Sequence, residues 1–509
     1  MLTVEQVFDA FDRAENELPI SNWDIGGLLV WPLFRVYFGY FLITRRVANS
    51  DSQIVRYSSY TNRLRQIGVA LLEQPFSAIL DRKHNDTIRN SDVVILSHSS
   101  TRYFKVDDAW YNPYSDSLVR NFKKEDIDSL VLELTAEGRY LVPRFEPSVF
   151  VQNKAFYASL RAKFGTLINC PKYHEKLEGW DVLVKIFSDL LGSSNVPNLD
   201  NFRFRARQVL AYEDWFSEIL KSVKPKVGIL TGYYSVEMMG FIRACRKLEI
   251  PTFEIQHGVQ GNKHIAYHRW SNIPAEGYDT LPNIFWSWTD EEARYINSWA
   301  NSTSGCHQAI VGGNPCLHIY DRQGDVLSHS MTKIPSKFSR RIDSSALQVL
   351  FTAQADTTLP IMLIDAIKNT PNWTWWIRIH PQYWETRETI RRQCISAKLD
   401  NVSIDEASDS PLVSLLSQVN VHVTAFSSSV LEAESLGVSS VVIDLIGVSL
   451  FPSQIESGVA VFAEDSLSLA AKIEIQAQKR IIITDRAASQ ECFFGSIMDI
   501  IKYEISKSN

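Results

Sequence analysis

Short runs of β-branched and aromatic residues, each closed by polar or glycine-bearing turns, recur along most of the chain. "DVVILSHSS" (92–100), "DIDSLVLELT" (126–135) and "VKPKVGILTGYYS" (223–235) are apolar without period-two alternation, the pattern of strands buried on both faces of a parallel sheet. The third leads into the helix-spaced "VEMMGFIRACRKLEI" and then into another strand, "PTFEIQHG". Strand, helix and strand in this order make a βαβ unit, and several in series predict a doubly wound sheet.

The arrangement recurs in the second half. "LQVLFTAQ" reads as a strand, "LPIMLIDAIKNT" as a helix, "WTWWIRIHP" as a strand and "VSID" as a short strand. "PLVSLLSQV" (helix), "VHVTAFSSS" (strand), "VLEAESLG" (helix) and "SSVVIDL" (strand) complete it. The chain is therefore expected to be α/β, with two Rossmann-like domains facing a cleft. They span 86–318 and 341–485, after a helical region at 1–85 with a polar connection over 53–83. A polar linker, 319–340, joins them, and a helix, 486–509, ends the chain.

Within the first region, "GGLLVWPLFRVYFGYFLITRR" (26–46) is apolar but interrupted by Pro32 and Arg35. It is shorter than the roughly 20 residues of a membrane span. Two readings stand: a buried aromatic-rich helix, or an interfacial helix with its aromatic side in the membrane and its arginines at the headgroups.

Composition narrows the class. A length of 509 residues exceeds one ordinary core, and 45% apolar with 22% charged residues is typical of a globular protein. A formal charge of -6 gives no support to general nucleic-acid binding. The 6 cysteines form no CxxC pair, so neither a zinc knuckle nor a disulfide framework is expected. The acidic, amphipathic start lacks the order of a signal peptide, and a cytoplasmic protein is expected. No Walker lysine motif, HExxH pair or GxSxG elbow occurs, which disfavours NTPase, zincin and α/β-hydrolase chemistry. "VGGNP" (311–315) is too short for a dinucleotide fingerprint.

Ligands in doubly wound sheets sit beyond the carboxyl ends of the strands, and the polar residues that follow these strands are the candidates. "TFEIQHGVQGNKH" ends a strand with Gln256, His257 and Gly258, with Lys263 shortly after. "IRIHP" ends another with His380 and Pro381, and Arg378 shares a strand face with His380. "TAFSSSVLEAES" empties a strand into Ser427, Ser428 and Ser429 and begins a helix at once. Capping hydroxyls, free N–H groups and the helix dipole there suit a phosphate, with Glu432 near enough to read a ribose.

The order of these three elements resembles bacterial glycosyltransferases of GT-B architecture that build capsule, O-antigen and teichoic-acid-like polymers. Among these are the HP-motif sialyl- and Kdo-transferases that use CMP-sugars and, more distantly, the CDP-glycerol glycerophosphotransferases. The resemblance covers mainly residues 225–445. It implies that His380 and Pro381 contact the phosphate of the nucleotide and that Ser427, Ser428 and Ser429 hold the same phosphate. The acidic base motif of the sialyltransferases has no clean copy here. His257 is the first choice of base, with Asp107, Asp108 and Glu237 behind it.

The expected function is transfer of a sugar, with Kdo or another ulosonic acid from a CMP-sugar as first candidate, to a growing bacterial surface polysaccharide or lipopolysaccharide. A nucleotide-sugar 2-epimerase and a non-catalytic polysaccharide-assembly binder are the alternatives. The expected partners are a nucleotide-sugar donor and a glycan or lipid-linked glycan acceptor, with peripheral contact at the cytoplasmic face of the membrane and no cofactor, metal or nucleic acid. "HIAYHRWSNIPAEGYDTLPNIFWSW" (264–288) offers aromatic faces for a sugar, although a packed loop is the commoner use of such a stretch. "HSSTRYFKVDDAWYNPYSD" (98–116) is rich in groups that could hold an acceptor.

Overall fold

The computed structural model describes residues 3–48, 88–102, 104–135, 141–151, 173–191, 197–317, 346–354, 358–479 and 486–507. The connection expected over 53–83 and the linker expected over 319–340 lie outside the described residues.

The strands, in chain order, are β1 (Asp24–Ile25), β2 (Leu28–Leu29), β3 (Val93–His98), β4 (Phe104–Val106), β5 (Ala109–Tyr111), β6 (Ser129–Leu134), β7 (Val149–Phe150), β8 (Glu175–Lys176) and β9 (Val227–Thr231). They continue with β10 (Thr252–Ile255), β11 (Ile284–Ser287), β12 (Gln308–Val311), β13 (Gln348–Thr352), β14 (Thr374–Arg378), β15 (Val402–Ser403), β16 (Val421–Thr424), β17 (Ser440–Val442) and β18 (Ala460–Phe462). The strands read from apolar runs are all present. β11 belongs to the stretch expected to be a loop, and "IFWS" is instead an interior strand, buried at all four positions.

The chain divides into two compact units, residues 1–102, 112–313 and 493–509 in the first and residues 103–111 and 314–492 in the second. Each is Rossmann-like. The first carries a 7-stranded sheet in the order β12-β11-β10-β9-β3-β6-β7. All its neighbouring strands are parallel. The second carries a 6-stranded parallel sheet, β15-β14-β13-β16-β17-β18. Strand order reverses between β3 and β9 in the first sheet and between β13 and β16 in the second. A crevice opens at the carboxyl ends of the strands where such a reversal occurs.

Sheet burial follows from sequence. Val93 to Leu96, Val227 to Leu230 and Trp375 to Ile377 are all buried, as continuous apolar strands covered on both faces must be. Helix starts carry polar caps: Ser235 accepts the Met238 N–H before Val236–Lys247, and Thr289 accepts that of Glu292 before Asp290–Ala300. Thr3 and Gln6 form a capping box at Val4–Glu17.

The helix Trp31–Ala48 shows where the aromatic residues of the amino-terminal region go. Trp31 and Phe34 are buried and pack on Phe11, Trp180, Phe187 and Phe202 within the core of the first unit. Arg35 is fully enclosed and paired with Glu15. The aromatic side is turned inward, so the buried reading describes this helix and the membrane-interfacial reading loses the face it needs. Among the described residues no helix is long and apolar enough to cross a membrane.

Glu15 and Arg35 do more than neutralise one another. Glu15 accepts from Trp31 Nε1 at 2.8 Å and, through its other oxygen, from the Ser271 amide at 2.6 Å and hydroxyl at 2.7 Å. Arg35 donates to the carbonyls of Ile265 (3.1 Å), His268 (2.7 Å) and Arg269 (2.9 Å) and lies over the Trp270 ring. The pair thus fastens the loop after β10 to two helices more than 200 positions away in sequence. Replacing Glu15 by Ala leaves a buried guanidinium without its counter-charge, and ~3–5 kcal/mol of the stability of the first unit should be lost. Denaturant unfolding followed by tryptophan fluorescence measures this; a loss below about 1 kcal/mol contradicts the role given to the pair.

Candidate functional site

In the first unit, β10 ends in a turn built by Gln256. Its Nε2 donates to the Gly258 carbonyl at 2.7 Å and to Glu292 Oε1 at 2.5 Å, and its Oε1 accepts the Trp288 amide at 2.6 Å. Gln256 is thus the brace of the turn, and Glu292 is the anchor below it, its carboxyl pushed up to about 7 by burial. A Cβ placed on Gly258 meets nothing within 4 Å. Neither the chain's own packing nor a positive φ requires glycine there. Gly232, which follows β9, differs: its φ is +70° and a Cβ would lie 2.9 Å from His257 Cε1.

His257 is half-buried, and desolvation pulls its pKa down to about 4. Its Nε2 lies 2.7 Å from the Tyr234 hydroxyl, and Tyr114 donates its hydroxyl to the His257 carbonyl at 3.2 Å. Tyr40 hydrogen-bonds Tyr234 and lies 2.9 Å from His264 Nε2. His264 is lowered to about 3 by burial and by its neighbour His257. Beneath this cluster Glu254, fully buried in β10, accepts from Tyr267 Oη at 2.5 Å and from the Tyr233 amide at 3.0 Å. Burial pushes its carboxyl up to about 8.

Buried polar atoms normally find partners. Around this turn several have none among the described residues: His257 Nδ1, both amide atoms of Gln260, Trp288 Nε1, Ser287 Oγ and Glu254 Oε2.

The other candidates of this half fall elsewhere. Glu237 is half-buried in the first turn of Val236–Lys247 and near enough to His98, at the end of β3, to raise its pKa against the larger lowering by burial. Both belong to the β3/β9 reversal. Lys263 pairs with Glu5 of the first helix at 3.2 Å, so its charge is engaged away from the turn. Asp107 and Asp108 occupy the exposed tip between β4 and β5 with φ of 47° and 65°. A two-residue hairpin turn with both φ positive favours Asp, which accounts for this pair without chemistry. The stretch 98–116 expected to hold an acceptor contains this hairpin and a buried node in which Arg102 pairs with Asp116 and Glu133. In the aromatic stretch after His264, Ile265, Tyr267, Trp270, Tyr278 and Leu281 are buried, so it packs over the sheet.

In the second unit, His380 follows β14 and Ser427 follows β16, on either side of β13. His380 is half-buried; burial first and then the charge of Arg378 pull its pKa down to about 4. It therefore stands as a neutral imidazole. Pro381 opens a 3-10 turn, Pro381–Thr386, and the Tyr383 amide donates to the His380 carbonyl at 2.8 Å. Arg378 does not share this outlook. It is buried, and its Nη1 donates to the carbonyls of Ala407, Ser408 and Ser410. The expectation that it faces the ligand beside His380 is corrected: it braces a neighbouring loop and contributes its field.

The three serines divide their work. Ser429 is buried, its hydroxyl 2.9 Å from Thr352 Oγ1 and 3.1 Å from His422 Nε2. His422, lowered to about 3 by burial, also reaches Thr352 Oγ1 at 2.9 Å and Ser440 Oγ at 2.9 Å. Ser427 Oγ accepts the Ser429 amide at 3.3 Å. Ser428, the residue before the helix Ser429–Ser435, makes no side-chain cap. Ordinary capping is therefore supplied by Ser427, and Ser427 and Ser428 are half-buried while Ser429 points inward. Glu432, also half-buried, has its carboxyl raised to about 7 by desolvation against the pull of Arg378. Gln354, just past β13, has a buried Oε1 without a partner among the described residues.

Sequence reading passed over several of these groups. Glu254 and His422 had a signal, an ionisable residue inside a continuous apolar strand. Tyr40 had none, because only the packing of distant helices brings it to Tyr234. Among the described residues no group of His, Cys, Asp and Glu side chains is arranged to hold a metal ion.

No family model and no curated protein matches the chain. Solved structures similar to it include a UDP-GlcNAc 2-epimerase from Neisseria meningitidis bound to UDP-GlcNAc, with 13% identity over 81% of this chain and 99% of that one, at a TM-score of 0.45. A UDP-N-acetylglucosamine 2-epimerase from Rickettsia bellii is 11% identical over 82% and 98%, with a TM-score of 0.47. A glycotransferase of kitacinnamycin is 13% identical over 82% and 99%, with a TM-score of 0.44. Likeness of this degree carries no argument about activity.

Two glycines separate packing from ligand space. Gly232→Ala should cost ~1–2 kcal/mol through its left-handed backbone and shift the His257 ring resonances. Gly258→Ala should leave stability within about 0.5 kcal/mol. A Gly258→Ala variant destabilised as much as Gly232→Ala contradicts the assignment. Glu254 makes stability depend on pH. Its folded-state value, about 8, lies above the ordinary 4.5, so the folded chain keeps a proton the unfolded chain has lost. Stability should fall as pH rises from about 4.5 to about 8, and Glu254→Gln should flatten that fall in denaturation curves taken across this range. An unchanged slope counts against a protonated Glu254.

Proposed function

We propose that the chain is a nucleotide-sugar-dependent glycosyltransferase whose second unit receives the phosphate of the donor. One observation supports this above the others: His380 and the half-buried Ser427 and Ser428 follow strands that flank the same central strand of the second sheet, at its order reversal. The phosphate of a departing nucleotide gains charge as the glycosidic bond breaks. A neutral imidazole can donate one N–H to it, the serine hydroxyls can donate others, and the guanidinium of Arg378 adds a positive field from within the fold. Glu432, with a carboxyl poised near neutrality, suits a hydroxyl of the ribose.

The order of the QHG, HP and serine elements favours a CMP-linked ulosonic acid such as Kdo as donor. It favours a growing surface glycan, met at the cytoplasmic face of the membrane, as acceptor. The first unit would receive this acceptor at the QHG turn, where orphaned polar atoms gather and Gly258 leaves open space. Transfer also needs a group that takes the acceptor's proton. Glu237, at the order reversal of the first sheet, is the carboxylate closest to this requirement.

Thermal-shift screening with CMP, CDP, UDP and GDP, followed by turnover assays on the matching nucleotide sugars with and without glycan acceptors, tests the reading. Cytidine nucleotides should stabilise the protein, and His380→Ala should lower kcat/KM about 10²–10³-fold while the variant stays folded. Conversion of UDP-N-acetylhexosamine without an acceptor would instead identify an epimerase. Binding with no turnover of any donor would identify a polysaccharide-assembly binder.

A further inference from the structure

His257, His264 and the two tyrosines between them form one hydrogen-bonded chain, and its direction can be read from a single fixed donor. The Ala266 backbone N–H donates to His264 Nδ1 at 3.3 Å. A backbone amide has no other role, so Nδ1 of His264 is the acceptor nitrogen, and a neutral His264 carries its proton on Nε2. That Nε2 lies 2.9 Å from the Tyr40 hydroxyl, to which it donates. Tyr40 in turn bonds Tyr234, and Tyr234 lies 2.7 Å from His257 Nε2. Passing the donor role along the chain, Tyr40 donates to Tyr234 and Tyr234 donates to His257. Nε2 of His257 is then an acceptor, and its proton is on Nδ1. This is the nitrogen that finds no partner among the described residues.

We propose that His264, Tyr40 and Tyr234 are positioning residues that fix His257 as the neutral tautomer protonated on Nδ1. In that form it meets the acceptor substrate as a hydrogen-bond donor to a hydroxyl oxygen, not as the general base. The proposal rests on the glycosyltransferase reading for the identity of the substrate, but not for the tautomer. In this form the basic nitrogen is already occupied by Tyr234, so His257 has no lone pair to offer an incoming O–H. The Nδ1–H is enclosed beside Gly232 and unsatisfied, a state that costs ~1–3 kcal/mol and that an oxygen brought into reach of the ring would relieve. No proton is transferred to His257 in this role; the acceptor's proton leaves to a carboxylate, and the N–H orients and polarises the oxygen it leaves.

Long-range ¹H–¹⁵N correlation spectra of the full-length protein with labelled histidine, at neutral pH and without substrate, read the tautomers directly. His257 should show a protonated Nδ1 and an unprotonated Nε2, and His264 the reverse. Tyr40→Phe breaks the chain without touching His257, and should turn the His257 signals into those of a tautomer mixture; a purely structural Tyr40 would leave them unmoved. A proton on Nε2 of His257 in the native protein, or signals unchanged in a folded Tyr40→Phe variant, overturns the proposal. These readouts need no turnover, so they fail or succeed independently of the proposed reaction. Where transfer is measurable, His257→Asn, whose amide can replace the Nδ1 donor, should retain at least tenfold more activity than His257→Gln. Equal losses would point to a base and against a donor.

Discussion

The buried pairing of Glu15 with Arg35 is the constraint on which the first unit's candidate site depends. A guanidinium with no exposure is tolerable only if its charge and its N–H groups are satisfied. Here they are met by one carboxylate and three carbonyls of the loop after β10. The same carboxylate takes the Ser271 amide and hydroxyl. The loop therefore cannot leave the amino-terminal helices without exposing unpaired charge to an apolar interior. That fixed contact brings Tyr40, from the second of these helices, to His264 and Tyr234, and through them to His257.

The second unit solves a similar problem differently. Its strand-end serines are held by His422, a neutral imidazole inside β16 whose two nitrogens reach Thr352 and Ser429 on one side and Ser440 on the other. The hydroxyls around one ring link three adjacent strands, β13, β16 and β17, to the start of the helix at Ser429. What differs between the three serines is thus decided below the surface: one is spent on this network, and two stay partly open. His380 and Arg378 divide in the same way, since the guanidinium is consumed by loop carbonyls and the imidazole stands at the strand end.

The two-sheet architecture was legible because parallel strands covered on both faces must be continuously apolar, and "VVIL", "VGIL" and "TWWIR" are. β11 escaped because its four residues sit inside a longer aromatic, proline-bearing stretch that also packs as a loop, so period and composition did not separate the two. At the sites, the strand-end positions of His257, His380 and Ser427 followed from sequence. The orientation of Arg378 did not: sharing a strand face with His380 fixes which side of the sheet it leaves from, while the carbonyls of residues 407–410 decide where a long side chain ends. Asp107 and Asp108 looked like acids for chemistry because residue type was visible and backbone was not; a positive φ at both marks a turn. Lys263 likewise carried a plausible charge whose partner, Glu5, lies in a helix that only folding brings near.

The central claim is that an anionic nucleotide phosphate is received where the second sheet reverses its strand order. A crystal structure of the protein soaked or grown with a cytidine nucleotide addresses it most directly. The account predicts a phosphoryl oxygen within hydrogen-bond distance of the His380 ring and of Ser427 or Ser428, with the ribose toward Glu432. A nucleotide bound elsewhere in the protein, with His380 and these serines untouched, would contradict it.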